Sequence, residues 1–295
     1  MNLKSQKSKG KLSKLALFTA ALIWGSSFVV VKNTVDAISV QYLIAFRFTA
    51  GCIILSLIFV KKLKLINFDY IWRGAILGGF LYLAYTLQTI GITDTTAGKN
   101  AFLTAVYCVI VPFMFWIVFK TRPDIFNITA AFLCIIGIGF VSLTSDLTIG
   151  FGDAFTLCSG FFYAAHIVAV AKFSKGKDMV LFTIIQFAFV SLFAWCVAPF
   201  TGSFPTELSS STIFGLLFLA LLPTATGMLL QNVGQKHVSP SSASILLSLE
   251  SVFGALFSIL FFGEQPTLKI YIGFVLIFIS IIISETKLSF LRKKQ

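Results

Sequence analysis

The chain has 295 residues, of which 57% are hydrophobic and only 12% charged, with a mean hydropathy of +0.94. That balance excludes a water-soluble globular domain, because the charges needed for a polar shell are missing. The formal net charge of +12 raises the question of nucleic acid, but the basic residues gather in the tails and in alternate connections between apolar runs. Membrane topology explains that distribution and groove recognition does not.

A transmembrane helix needs roughly 20 mostly apolar residues to cross about 30 Å of hydrocarbon. In chain order, ten runs of that kind are expected at 14–32, 39–60, 72–92, 97–119, 126–144, 152–172, 179–199, 211–235, 240–262 and 269–285. Residues 1–23 resemble a signal peptide, but no small-residue cleavage site follows and the apolar run continues to Val31, so they read as a retained first helix. The five cysteines, Cys52, Cys108, Cys134, Cys158 and Cys196, all fall inside apolar runs, show no CxxC spacing and are odd in number. Neither a disulfide framework nor a zinc site is indicated.

Orientation follows from Lys and Arg, which are enriched in cytoplasmic loops. One side of the alternation carries the N-tail lysines, Lys61, Lys62, Lys64, Arg73, Lys120, Arg122, Lys172, Lys175, Lys177, Lys236 and the C-tail cluster; the other carries only Lys32, Lys99 and Lys269, at helix edges. Both termini are therefore expected in the cytoplasm, which requires an even number of spans. All connections are short, so any activity must reside within the helices.

The run structure repeats. Laid over residues 154–286, residues 15–143 match at an offset of 139 or 140 for the first two helices and 143 thereafter. Leu87-Gln88-Thr89-Ile90-Gly91 falls on Leu230-Gln231-Asn232-Val233-Gly234, Arg47-Phe48 on Gln186-Phe187, Thr96-Ala97 on Ser239-Pro240 and Arg122-Pro123 on Gln265-Pro266. The predicted fold is an all-α integral membrane protein of ten transmembrane helices in two five-helix repeats, 14–144 and 152–286. Because five is odd, the second repeat must insert upside down relative to the first, and in such inverted repeats the solute site lies near the midplane between halves.

Ile23-Trp24-Gly25-Ser26-Ser27-Phe28 in helix 1, Phe46-Arg47-Phe48 in helix 2, Ser244-Ile245-Leu246-Leu247-Ser248-Leu249-Glu250-Ser251-Val252-Phe253 in helix 9 and the following Gly263-Glu264-Gln265-Pro266 resemble, in that order and spacing, the EamA group of drug/metabolite transporters. The resemblance covers essentially the whole chain. It implies a multi-pass protein of a bacterial cell membrane that exports small metabolites, typically amino acids or their derivatives. Import or facilitated diffusion of a scavenged metabolite stays open, as does, more remotely, a non-transporting sensor or scaffold. Two departures stand out. Ser251 occupies a position where the family usually has proline, so helix 9 should bend less than in relatives, and the first half keeps only Pro123 of the Gly-Glu-x-Pro pattern.

Charges inside hydrocarbon normally face a partner or a water-filled cavity. Two lie well inside, Arg47 in helix 2 and Glu250 in helix 9, at depths that differ by about 6 Å from their residue counts, so an ion pair, direct or through water, is geometrically possible. Glu250 could serve as a protonatable coupling site and Arg47 could attract a substrate carboxylate; alternatively the two could hold the halves together. His166 is a candidate proton site. Trp24, Tyr82, Tyr85, Tyr107 and Tyr163 lie in the middle of helices although such residues prefer the interfaces, which suggests a polar cavity. Gln88, Gln231 and Asn232 are candidate substrate contacts or interhelical amides, with the two glutamines expected near opposite faces. Pro112, Pro223 and Gly227 are hinge candidates, and Gly74, Gly78, Ser251, Gly254, Ala255 and Ser258 read as close helix contacts. There is no paired carboxylate at catalytic spacing, no phosphate loop, no histidine cluster and no Walker motif. No enzyme activity, metal or cofactor is expected, and transport must use a gradient or run downhill, protons being the candidate coupling ion. Oligomeric state stays open.

Overall fold

The computed structural model describes residues 3–143, 148–236, 238 and 240–287, with the side chains at 3–9, 240–242, 244, 245 and 285 outside that description. Ser239, Arg292, Lys293 and Lys294 also lie outside it. The described chain is helical: α1 (Leu3–Thr34), α2 (Val40–Ile58), a 3-10 turn (Val60–Leu65), α3 (Phe68–Thr93), α4 (Ala97–Thr104), α5 (Tyr107–Phe119), α6 (Ile125–Ser142), α7 (Phe151–Phe173), α8 (Met179–Thr201), α9 (Ser210–Leu219), a π-helical segment (Ala220–Gly227), α10 (Met228–Gln235), α11 (Pro240–Phe262) and α12 (Leu268–Thr286). Among the described residues the sole β pairing is an isolated bridge between Leu143 and Ile149. Eight helical segments are long and apolar enough to cross a membrane, and two shorter apolar stretches, Leu246–Phe262 and Leu268–Ser284, follow them.

Side chains inside the connections end the helices sharply. The Asn67, Thr96, Ser209 and Thr267 side chains each accept a hydrogen bond from a first-turn amide of α3, α4, α9 and α12, which satisfies donors that would otherwise face the membrane boundary unpaired. Asp124 makes a capping box with Asn127 at the start of α6. Asp178 caps α8, accepting from Val180 and Leu181, and its carboxylate pairs with Lys62. Burial works against the Asp178 charge, but the Lys62 contact and the helix amides outweigh it and hold its carboxyl below the usual aspartate value of 3.8. A depressed folded-state pKa contributes stability that is present above the unfolded pKa and lost as pH falls through the folded one. Asp178→Ala is therefore expected to cost about 1 kcal/mol, or about 2–4 °C in Tm, at pH 7. Asp178→Asn, which keeps the cap and loses the ion pair, should lose less. The gap between wild type and alanine variant should shrink in thermal melts run below pH 3.8; a gap constant with pH would remove the carboxylate charge as its source.

The elements pair by their sequence equivalents. α2 packs on α8, its equivalent at the repeat offset, and α6 on α12; α3 packs on α7 as the α9–α10 segment packs on α1, and α1 packs on α11 as α7 packs on α4 and α5. Every major contact thus recurs with the halves exchanged. In lipid, apolar burial gives no drive for helix association, so close packing and interhelical polar contacts must supply it. The glycines do so. Gly74 lies against Ile185, Gly78 against Phe189 and the Gln186 carbonyl, and Gly254 against Ala101 and Phe28. Large apolar side chains such as Phe132, Phe214 and Phe261 face outward, where only hydrocarbon can cover them.

Two of the expected long runs are interrupted. The run 97–119 breaks at Ala105–Val106, where the amides of Val106, Cys108 and Val109 bond three residues back, to Leu103, Ala105 and Val106; Pro112 lies beyond the break, inside α5. The run 211–235 widens into the π segment that contains Pro223. Proline removes an amide donor and its ring crowds the preceding turn, and a π bulge absorbs both. Within it Thr226 Oγ1 donates to the Leu221 carbonyl at 2.8 Å. α11 runs unbroken through Ser251, in keeping with the missing proline.

Candidate functional site

A cavity between the halves is lined by Trp24, Ser27, Phe28 and Val31 of α1, Arg47 of α2, Tyr85, Gln88 and Ile92 of α3, Asn100 and Thr104 of α4 and Tyr107 of α5. Tyr163 and Ile167 of α7, Gln231 of α10 and Leu247 and Glu250 of α11 complete it. Its volume is about 40 Å³, room for roughly three waters. Two larger hollows, of about 170 and 330 Å³, lie outside this centre, one beside Arg122 and Lys287 and one in an apolar groove over Ile76, Met114 and Phe173. Size alone would favour those; polar convergence favours the central cavity.

The lining positions are repeat equivalents. At the offset of 139, Trp24 matches Tyr163 and Phe28 matches Ile167; at 143, Gln88 matches Gln231, Thr104 matches Leu247 and Tyr107 matches Glu250. All ten border the cavity, which therefore sits where equivalent surfaces of the two halves meet.

Arg47 and Glu250 are the two charged residues in that lining. Arg47 is 2% exposed and Glu250 5%. They do not form the direct ion pair that their depths allowed. Arg47 donates from Nε to Thr224 Oγ1 at 2.8 Å, and its Cζ lies 4.8 Å from the centroid of the Tyr85 ring and 5.6 Å from that of Phe48. Aromatic faces attract the planar guanidinium, so Arg47 is held by those rings and by the π segment of the other half. Glu250 faces Tyr107, its own repeat equivalent. Tyr107 Oη is buried without a hydrogen bond of normal geometry, as is Asn100 Oδ1.

A polar chain crosses the cavity. Tyr163 Oη donates to Gln88 Oε1 at 2.8 Å and Gln88 Nε2 donates to Thr104 Oγ1 at 3.1 Å, while Asn100 Nδ2 donates to Thr156 Oγ1 at 2.7 Å and to the Gln88 carbonyl at 3.1 Å. Trp24 Nε1 donates to the Pro223 carbonyl at 2.8 Å, and a β-carbon at Gly227 would lie 2.7 Å from that nitrogen. The widening at Pro223 thus serves two residues of the first half, one through its carbonyl and one through Thr224.

Of the residues singled out from sequence, Trp24, Arg47, Tyr85, Gln88, Tyr107, Tyr163, Gln231 and Glu250 converge on one cavity, the two glutamines included, although they were expected near opposite faces. Tyr82, His166 and Asn232 do not. Tyr82 Oη donates to Gln41 Oε1 at 3.1 Å. His166 Nε2 is 2.8 Å from Gln186 Oε1, and Asn232 Nδ2 donates to Thr183 Oγ1 at 2.9 Å, both turned toward α8. Pro223 and Gly227 border the cavity wall through Trp24, and Pro112 lines the separate hollow beside Arg122 and Lys287. Sequence reasoning missed Asn100, Thr104 and Thr224. Asn100 was findable, being the one amide in the run 97–119; a threonine in an apolar helix carries no such signal.

The model of the EamA-like transporter family matches residues 11–143 and, a second time, residues 150–286. An uncharacterized transporter of Archaeoglobus fulgidus is 33% identical over 269 residues, spanning 91% of this chain and 84% of that protein. A solved crystal structure superposes with a TM-score of 0.70 at 15% identity, covering 95% of this chain and 99% of its own, which shows a shared fold. Matched across both halves, and a third identical to a transporter over nearly its whole length, the chain belongs to the EamA-like transporter family and is a multi-pass membrane transporter.

Proposed function

We propose that this protein is a secondary carrier that crosses the membrane ten times as two inverted five-helix halves, with both termini in the cytoplasm, and exports a small zwitterionic metabolite such as an amino acid or a close derivative. The observation that carries this reading is one cavity, between the halves, holding a single cation and a single carboxylate that are not paired to each other. Arg47 takes the substrate carboxylate and Glu250 its ammonium group, with the Gln88, Gln231 and Asn100 amides fixing orientation. Unpaired buried charges are held at a cost that a ligand of matching charge offsets. The exchange symmetry of the helix contacts supports a two-fold relation between the halves, and an odd number of spans in each makes that relation an inversion.

In this mechanism the halves rock about the cavity, and a proton on Glu250 competes with the substrate ammonium, so export runs against proton entry. Proteoliposomes offered amino acids, nucleosides and polyamines, with and without a pH gradient, test it. Wild type is expected to accumulate an amino acid only with the gradient. Glu250→Gln, which cannot exchange a proton, should lose that dependence and retain at most downhill exchange, a fall of about tenfold or more in gradient-driven rate. A Glu250→Gln protein that still accumulates substrate against its gradient would sink the coupling role, and transport indifferent to the gradient in wild type would make the protein a facilitator.

A further inference from the structure

The face of the molecule that is poor in lysine carries a set of contacts on α4 that its repeat equivalent cannot make. Glu264, just after α11, accepts the Ala97 amide at 3.0 Å on Oε1. Asp153, in the first turn of α7 and 3% exposed, accepts Thr95 Oγ1 at 2.6 Å and pairs with Lys99 Nζ at 2.6 Å. Asp94 Oδ2 accepts the Gly152 amide at 3.0 Å. The start of α4 in the first half is thus held to the second half by Glu264 and Asp153, while Asp94, at the end of α3, makes a further contact across the halves. At the repeat offsets, the positions of Asp153, Glu264 and Asp94 are occupied by Lys14, Thr121 and His237, so the opposite face has no carboxylate at any of them.

The same short helix is separated from α5 by the break at Ala105–Val106 and carries Asn100 and Thr104 into the cavity. The end of the cavity nearest the lysine-poor face is formed by Val31, Ile92 and Asn100, and Lys32 Nζ, one residue beyond, bonds the carbonyls of Ile92, Thr93 and Thr95 at 2.8, 3.2 and 3.0 Å. The cavity therefore ends beneath this group of contacts.

We propose that α4 is a gate leaf, hinged at Ala105–Val106 and latched shut on the lysine-poor face by Glu264 and Asp153. Glu264 is a positioning residue: it touches neither the cavity nor its contents, and acts by keeping α4 and its Asn100 in place. Opening requires the carboxylates to give up the Ala97 amide and the Lys99 ammonium together, after which α4 tilts about the break and exposes the cavity. The mirror helix α11 runs without a break and the sequence supplies no carboxylate at the equivalent latch positions, so on the other face opening must use a different movement. The inference concerns which face opens and how, and its test needs no substrate, so its failure is distinguishable from failure of the proposed transport reaction.

The test is site-specific labelling in sealed vesicles of known orientation. The reporter is Ser27→Cys, in a background with the five native cysteines replaced, and the probe is a membrane-impermeant maleimide applied from either side. Glu264→Gln removes the charge from the amide contact, and Asp153→Asn removes it from the Lys99 pair. Each is expected to raise the labelling rate from the lysine-poor side by about tenfold, equivalent to about 1.4 kcal/mol, and to lower it from the lysine-rich side. Glu264→Asp, which keeps the charge, should restore most of the wild-type asymmetry. Labelling unchanged on both sides overturns the latch, and so does an equal rise on both sides, which would report a loosened fold. If Glu264→Gln fails to insert, Asp153→Asn with Lys99→Met decides by the same readout.

Discussion

Arg47→Ala is expected to raise the KM for a carboxylate-bearing substrate about a hundredfold or more, since truncating one partner of a buried, hydrogen-bonded charge pair costs on the order of 2–5 kcal/mol. The effect should fall on binding rather than on folding, because the residue is held by one hydrogen bond to Thr224 and by two rings, contacts whose loss removes a buried charge as well. Arg47→Lys keeps the charge but has no Nε donor for Thr224 and no plane to lay on Tyr85, so it should recover only a part. Thr224→Val, which leaves the guanidinium in place without its anchor, should weaken binding by about tenfold, in line with one charge-assisted hydrogen bond. Substrate titrations in proteoliposomes separate these cases. An Arg47→Ala protein with an unchanged KM for amino acids would remove Arg47 from the site and leave it as a tether between α2 and the π segment.

The second large effect is expected at Gly152. A β-carbon there would stand 2.6 Å from the Gly91 carbonyl oxygen and 2.8 and 3.0 Å from the Asp94 carbonyl carbon and oxygen. These are backbone atoms and cannot rotate aside, so α3 and α7 must separate where Gly152 also donates to Asp94. Gly152→Val is expected to cost about 3 kcal/mol, or about 5–10 °C in Tm, at the upper end for overpacking. Gly79, with open space around the position of its β-carbon, is the control: Gly79→Ala should be neutral or raise Tm slightly, since alanine is the better helix former. Equal losses at the two glycines would mean that helix propensity, and not interhelical approach, sets the stability here.

The comparison of Gly152 with Gly79 shows why some features are legible in a sequence and others are not. Gly152 lies in the first turn of α7 and Gly79 in the middle of α3, but that difference does not tell which of them meets another backbone; only the neighbouring helix does. The same holds for polar residues. Tyr163 and Tyr82 are tyrosines at similar depth, yet Tyr163 borders the cavity and Tyr82 bonds Gln41 away from it. A helix shows its residues to every direction around the axis in turn, and which of them meets the interior depends on a rotation that packing decides.

By itself the sequence determined the class of the molecule: hydrocarbon length and the missing polar shell leave a helical membrane protein, and the spacing of its runs with their repeat offset leaves two related halves. It also marked Arg47 and Glu250, because a charge in an apolar run is conspicuous at any rotation. Only the tertiary structure decided that these two do not pair, that Gln88 and Gln231 share one cavity, that the fourth run breaks before Pro112, and that Glu264 reaches across to α4. Each of those depends on contacts between segments far apart in the chain, where distance is set by how helices approach and not by the order of residues along them.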